Sequence, residues 1–308
     1  MIDNLKYSLL VPCYNAHSYI DGFIENIAAL LIPFDEVLFY DDGSTDSTAE
    51  TLLSKGLNVI KGGINKGPGY SRNKLVSKST GDWFHFHDID DLLDPQYLTK
   101  TSKIAEQDEC DVILCNVDWL DHRTNRTLMS WKYSNTEINK NPVCYTISNP
   151  IGGINGLYRK NKFIEAGGFN TEIRIWEDAD VHVKLAGNNA KFHVIEEVLS
   201  LSIRYPASAS VDQTSGWLIR SKLLAEYYKI FQQKLIRTEI GKQAQLTASA
   251  LIISFQYNEA RKALKLSELC NLKVPCNNSK IWSLLKTILP QILRIELRLI
   301  QLKIAFGK

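Results

Sequence analysis

No stretch of the chain reaches the roughly 18 consecutive apolar residues that a membrane-spanning helix needs. The N-terminus has neither a basic n-region nor an apolar h-region, so no secretory signal is expected and a reducing, cytoplasmic setting is. Six cysteines occur (Cys13, Cys110, Cys115, Cys144, Cys270 and Cys276), but no two are spaced as CxxC and none fits a zinc module. Reduced, mostly buried thiols are the expectation. A surplus of one charge is also missing. Lys and Arg number 36 against 34 Asp and Glu, and a net charge of +2 gives no reason to expect nucleic-acid binding. There is no internal repeat, no low-complexity tract, no GK[ST] phosphate loop, and no GxGxxG after the first strand, which argues against a dinucleotide site.

What is present is an ordinary globular composition, 44% hydrophobic and 23% charged, over 308 residues, enough for one large domain or two modest ones. The first two thirds alternate strand-like and helix-like segments. Strands are expected at Tyr7–Val11, Glu36–Tyr40, Leu57–Lys61, Asp82–His87 and Asp111–Val117. Helices are expected at Ser18–Leu31, Thr45–Lys55 (capped by Ser44 or Thr45) and Gly67–Ser79. Such alternation predicts an α/β fold with a mostly parallel sheet covered on both faces. Ligands of such sheets bind beyond the carboxyl ends of the strands, so Pro12–Asn15, Asp41–Ser44 and Asp88–Asp91 are expected to converge on one cleft.

Three carboxylates follow the fourth strand in His87-Asp88-Ile89-Asp90-Asp91. They repel one another, and hard oxygen donors suit Mg²⁺ or Mn²⁺; the alternative is a solvated acidic turn. His85 and His87 suggest a zinc pattern, but alternation places them on the strand face opposite Asp88, so packing is expected. Asp41-Asp42-Gly43-Ser44 reads equally as a base- or ribose-binding turn and as an Asx turn. Arg72 lies one turn into a helix, either reaching toward phosphate or ribose or simply on the surface. Glu177 and Asp178 precede a helical stretch and read either as dipole-matched caps or as a general base facing the cleft.

In order along Tyr7–Ser210, these elements resemble the family 2 glycosyltransferases of GT-A fold. The resemblance rests on Ser8–Asn15, on Phe39–Asp46 (a VDDGSTD-like element), and on Asn65–Asn73. It continues through Asp88-Ile89-Asp90-Asp91 (DxDD), Gly167-Gly168-Phe169-Asn170 and Trp176-Glu177-Asp178. It implies an inverting transferase that uses a nucleotide-sugar, most often a UDP-sugar, with Mn²⁺ or Mg²⁺. It also implies a saccharide or lipid-linked acceptor in bacterial surface glycan synthesis. By the same resemblance, Pro12, Tyr14 and Asp41 hold the base, and Asp42, Gly67 and Arg72 line the nucleotide pocket. Asp88 contacts ribose or metal and Asp90 the metal. Asp178 is the general base with Glu177 beside it, and Trp176 with Gly152–Asn155 (Gly153 and Asn155 among them) shapes the acceptor pocket. The chain departs from the pattern where many relatives carry a histidine after the last strand: Ser202–Ser208 places Tyr205 there. A binding module without activity is the alternative. A nucleotidyltransferase is disfavoured because Pro12–Asn15 stands where that class has a basic glycine-rich loop.

From about Ser215 strand alternation stops, and helices are expected at Trp217–Ile236, Thr247–Phe255 and Glu259–Leu269. The domains are thus expected as 1–214, catalytic, and 215–308, a helical extension. In its last stretch, Lys280–Lys308, Ile288, Ile292, Ile295, Leu299, Leu302 and Phe306 line one helix face. Six basic residues there stand against one acid, so this helix either docks on the catalytic domain or lies on a membrane surface.

Overall fold

A computed structural model describes residues 5–205, 213–273 and 290–306. The chain divides into two compact units, residues 1–146 with 150–208, and residues 209–308 with 147–149. The first unit runs β1 (Tyr7–Cys13), α1 (Ile20–Ala28), β2 (Glu36–Asp41), α2 (Thr48–Ser54), β3 (Asn58–Lys61), α3 (Pro68–Lys78), β4 (Trp83–Phe86), β5 (Leu92–Leu93) and α4 (Tyr97–Ala105). It continues with β6 (Val112–Asp121), β7 (Thr127–Trp131), α5 (Asn135–Lys140), α6 (Pro142–Ser148), β8 (Gly156–Arg159), α7 (Lys160–Glu165), α8 (Glu177–Gly187) and β9 (Phe192–Arg204).

The sheet order is β3-β2-β1-β4-β8-β6-β9-β5, with β7 paired to β6. The first four strands are parallel, as their helical crossovers require, and β6 is parallel to β9. β8 joins the two parallel parts by pairing antiparallel with both β4 and β6. Helices on both faces explain why β1 reads as an unbroken apolar run. Alternate residues enter two core layers: Leu9, Val11, Phe23, Phe39 and Trp83 in one, Leu10, Leu38, Leu75, Phe84 and Phe86 in the other. Each fully buried aromatic contributes roughly 1.5–3 kcal/mol of hydrophobic stabilisation.

Several local expectations change. α2 begins at Thr48, later than Thr45, and neither Ser44 nor Thr45 caps it. Ser44 Oγ accepts the Asn15 N–H at 2.9 Å, Thr45 N–H donates to Asn15 Oδ1 at 2.8 Å, and Asp46 Oδ1 takes the Thr48 N–H at 3.0 Å. Those two residues tie loops together, and Asp46 receives the first helical N–H from just ahead of the N-cap Ser47, whose own side chain makes no cap bond. β6 runs on to Asp121 because β9 pairs with it over its whole length, through register shifts around Asn116.

In the second unit the described residues form α9 (Gln213–Ile230), α10 (Lys234–Ile253), α11 (Tyr257–Leu269) and α12 (Gln291–Phe306). The helix expected over Trp217–Ile236 breaks after Ile230, where Gln233 is extended. α12 buries Ile295 and Leu299 in a cluster with Ala248, Leu251, Ile252 and Leu264 of α10 and α11. Arg294 and Arg261 bond Glu268 and Glu296 across the same junction. Lys280, Lys286, Ile288 and Lys308 lie outside the described residues, as do the side chains of Ile292, Leu302 and Phe306.

Candidate active site

Two groups of side chains gather at the carboxyl ends of the central strands. The first is built by loops after β1, β2 and β3. Pro12 pairs with Tyr40 and Cys13 with Asp41 in register, and the Asp42 N–H donates to the Cys13 carbonyl at 2.8 Å. Asn15 takes a left-handed conformation that its short side chain tolerates, and its contacts with Ser44 and Thr45 lace the two loops together. Tyr14 is left 48% exposed. Asp41 is buried and receives the Ser44 N–H at 3.4 Å.

Asp42 is buried, and its carboxylate accepts the N–H groups of Lys66 (3.0 Å) and Gly67 (2.7 Å). It therefore fixes the loop that enters α3 and holds Gly67 at a φ of 94°, which only glycine adopts without strain. Arg174 closes over this loop through Asn65 Oδ1 at 2.9 Å.

The second group centres on Arg72. Its side chain is only 4% exposed and forms three ion pairs: Asp88 Oδ1 at 2.8 Å, Asp178 Oδ1 at 2.9 Å and Glu177 Oε1 at 3.1 Å. The surface alternative for Arg72 is excluded by this burial. Burial alone would lower the guanidinium's pKa, but the three carboxylates raise it overall, so the cation is permanent. Burial raises the pKa of both Glu177 and Asp178; Asp178 adds to it at Glu177 and Asp88 at both, while Arg72 opposes. Three carboxylates around one guanidinium leave the cluster with excess negative charge.

Local sequence explains the placement. Gly153 approaches Asp178 so closely that a Cβ there would stand 2.8 Å from Asp178 Oδ1. Trp176 enters α8 in a left-handed conformation with a φ of 69°, a strained state for a bulky residue. Asn73, one residue after Arg72, bonds both the N–H (3.0 Å) and the carbonyl (2.9 Å) of Phe169. That pair clamps α3 to the Gly167-Gly168 turn, whose residues both have positive φ. Asn155 lies deeper: it is buried and donates to Tyr133 Oη at 2.7 Å.

Asp88, Asp90 and Asp91 separate into different roles. Asp88 faces Arg72. Asp91 is buried and accepts the Ile203 N–H at 2.7 Å, tying the turn to β9. Asp90 is pushed up to about 6 by burial and then by Asp88. Two neighbouring hard-oxygen donors, one of them resisting ionisation beside the other, are a donor set that fits a divalent cation. Among the described residues no group of three or more His, Cys, Asp or Glu stands together for metal binding.

His85 and His87 are fully buried on the other face of β4, where His85 donates to the Gly156 carbonyl at 2.9 Å and His87 to the Asp91 carbonyl at 3.0 Å. Burial holds both below the usual histidine range. Tyr205 packs its ring against Tyr19 and His122. Pro206, Ala207 and Ser208 lie outside the described residues. Asn73 stood in the Asn65–Asn73 element without an assigned role, and three contributors escape sequence reading: Tyr133, Tyr158 and His182. Of these only His182 carried a signal, four residues after Asp178 in a helical stretch.

A mixed α/β sheet with a parallel core, carrying an acidic DxD turn at a strand end and a late carboxylate pair at the head of a helix, is the architecture of a GT-A glycosyltransferase. The chain matches the family model "Glycosyl transferase family 2" over residues 8–165, and it belongs to that family. An uncharacterized glycosyltransferase of Haemophilus influenzae is 28% identical over 185 residues, covering 58% of this chain and 61% of that protein. The chain thus spans about three fifths of that relative, and less of several others. Two solved structures share the fold. Staphylococcus aureus TarS 1–349 in complex with UDP-GlcNAc has a TM-score of 0.59 at 17% identity, over 90% of this chain and 95% of that one. A mannosyltransferase from Pyrobaculum calidifontis, in complex with GDP-Man and Mn²⁺, has a TM-score of 0.62 at 15% identity, over 97% and 88%.

Proposed function

We propose that the chain is an inverting glycosyltransferase that moves a sugar from a nucleotide-sugar, a UDP-sugar in the first instance, to a hydroxyl of a saccharide or lipid-linked acceptor in bacterial surface glycan synthesis. The observation that carries this reading is the single network in which Arg72 joins Asp88, on the DxD turn, to Asp178 and Glu177 at the head of α8. That closeness supports a reading in which Asp88 serves the donor and Asp178, beside it, serves as the base. The UDP, UDP-GlcNAc and GDP-Man complexes of the two structural relatives support a nucleotide-sugar donor.

In this reading Tyr14 offers its exposed ring to the base, and Pro12 and Asp41 shape the slot beneath it. Asp42 keeps Gly67 and Lys66 fixed at the nucleotide edge. Asp88 and Asp90 would hold Mn²⁺ or Mg²⁺, which supplies positive charge to the departing diphosphate. Asp178 takes the proton of the acceptor hydroxyl as its oxygen bonds the anomeric carbon, while the bond from that carbon to the diphosphate oxygen breaks on the opposite side. One in-line displacement inverts the anomeric centre, and no second carboxylate nucleophile is needed. Arg72 holds the base oriented and ionised. Trp176, Gly153, Asn155 and Glu177 bound the acceptor side. The catalytic domain is taken as 1–214 and the helical extension as 215–308.

We also assign a membrane-surface role to the C-terminal stretch 280–308. On α12, Leu293, Ile300 and Ile304 are exposed on the side away from Ile295 and Leu299. No described helix is long and apolar enough to cross a membrane, so contact would be peripheral. An Ile300→Glu/Ile304→Glu chain should lose binding to anionic liposomes, and unchanged binding would remove this assignment.

The test of the main reading is a panel of nucleotide-sugars with Mn²⁺ or Mg²⁺, following release of nucleoside diphosphate. One donor should be hydrolysed slowly without acceptor, and Asp90→Ala should abolish the metal response. Binding of a donor without turnover under any metal would favour a nucleotide-sugar binding module.

A further inference from the structure

Behind Asp178 lies a second set of contacts that touches no solvent. His182, one helical turn along α8, is fully buried. Its Nδ1 is 2.6 Å from the Asp178 carbonyl and its Nε2 is 2.9 Å from Tyr158 Oη. A carbonyl only accepts, so Nδ1 carries the proton and Nε2 is the acceptor. The single Tyr158 proton therefore goes to His182. Burial keeps the imidazole neutral, pulling it down to about 4. Tyr158 Oη also packs 3.4 Å from the Gly153 carbonyl, and Gly153 abuts the Asp178 carboxylate, where a Cβ would stand 2.8 Å from Oδ1. The neighbouring Gly156 leaves room for the ring: a Cβ there would come within 2.7 Å of Tyr158 Cζ.

The contacts close into a circuit: hydrogen bonds join the Asp178 main chain, His182 and Tyr158, and packing joins Tyr158, Gly153 and the Asp178 side chain. We propose that Tyr158 and His182 are positioning residues for Asp178, holding the first turn of α8 and the Gly152–Asn155 loop at a fixed separation around its carboxylate. This rests on the reading of Asp178 as the base. Neither residue meets a reacting atom. Their effect passes through the carboxylate's aim at the acceptor oxygen, and small misplacements of a reacting group are expensive in rate. A buried imidazole at this point is otherwise a net cost, because desolvation is offset only by these two hydrogen bonds.

The experiment uses the full chain, with the nucleotide-sugar that the unaltered protein hydrolyses in the panel above, and UDP with Mn²⁺ as the binding probe. Tyr158→Phe keeps the ring and removes the link. Its kcat should fall on the order of tenfold, with KM for the donor and UDP affinity changed less than about twofold. His182→Asn retains a donor near the Nδ1 position and loses the Nε2 link, so it should lose a comparable factor. Because both break one circuit, the double variant should be no slower than the worse single variant. Unchanged kcat in both single variants, or multiplying losses in the double, overturns the proposal. A proportional rise in KM overturns it too, since that is the mark of a structural defect in donor binding. If Asp178→Asn hydrolyses the donor as well as the unaltered chain, or no donor is hydrolysed, the base reading has failed and this inference falls with it.

Discussion

Replacing Arg72 by methionine keeps most of the side chain's length and apolar contacts and removes its charge. The structure sets the size of the effect. The guanidinium is almost wholly buried and meets Glu177, itself buried, at 3.1 Å, and Asp178 and Asp88 at 2.9 and 2.8 Å. Removing one partner of a buried ion pair costs about 3–5 kcal/mol when the other charge stays behind. Asp88 is more than a third exposed and adds little, because water screens it. Glu177 and Asp178 can escape the rest by taking up protons.

That escape fixes the sign of the pH dependence. Both carboxyls are already raised by burial, and without Arg72 they rise further. A carboxyl whose folded pKa exceeds its unfolded value makes the native state bind more protons than the unfolded state, so stability falls as pH rises. Arg72→Met should therefore be about 3 kcal/mol less stable than the unaltered chain at pH 8 and much closer to it at pH 5. Denaturant unfolding of both proteins at the two pH values, followed by tryptophan fluorescence, reads this directly. A difference below about 1 kcal/mol at pH 8, or a larger deficit at pH 5 than at pH 8, would refute the reasoning that Arg72 neutralises buried carboxylates.

Two further outcomes follow from the geometry. Gly153→Ala places a methyl group 2.8 Å from Asp178 Oδ1 and should lower donor turnover at least tenfold with UDP affinity retained, as measured by steady-state kinetics and calorimetry. Asp46→Ala removes the oxygen that receives the Thr48 N–H at the start of α2 and should cost about 1 kcal/mol in denaturant unfolding, while Ser44→Ala should leave that start intact.

The parts of this molecule that were legible in its sequence are those whose physics is local. Strand β1 announced itself because both its faces are buried. The alternation of Trp83, Phe84, His85, Phe86 and His87 foretold that the histidines and Asp88 would leave on opposite sides. The three acidic or glycine-rich turns lay at strand ends because the parallel order of β1 to β4 puts them there. What could not be read locally depended on distant partners. Arg72 and Asp178 are 106 residues apart in sequence, and nothing in the helix around Arg72 says that its side chain is buried. The four-residue β8 carries too little pattern to reveal that it bridges two parallel sets of strands. Ser44 looked like a cap until Asn15, 29 residues earlier, claimed its hydroxyl. On α12 the buried stripe was visible in its spacing, and the second, exposed stripe of Leu293, Ile300 and Ile304 was masked by the high overall apolar content of the helix.

The central claim is that Asp178 is the base of a nucleotide-sugar transferase, and Asp178→Asn addresses it most directly. The variant should bind UDP with Mn²⁺ as the unaltered chain does, while nucleoside diphosphate release from the accepted donor falls by on the order of 10²-fold or more. Release at an undiminished rate with binding intact would contradict the account and move the search for the base elsewhere in the cleft.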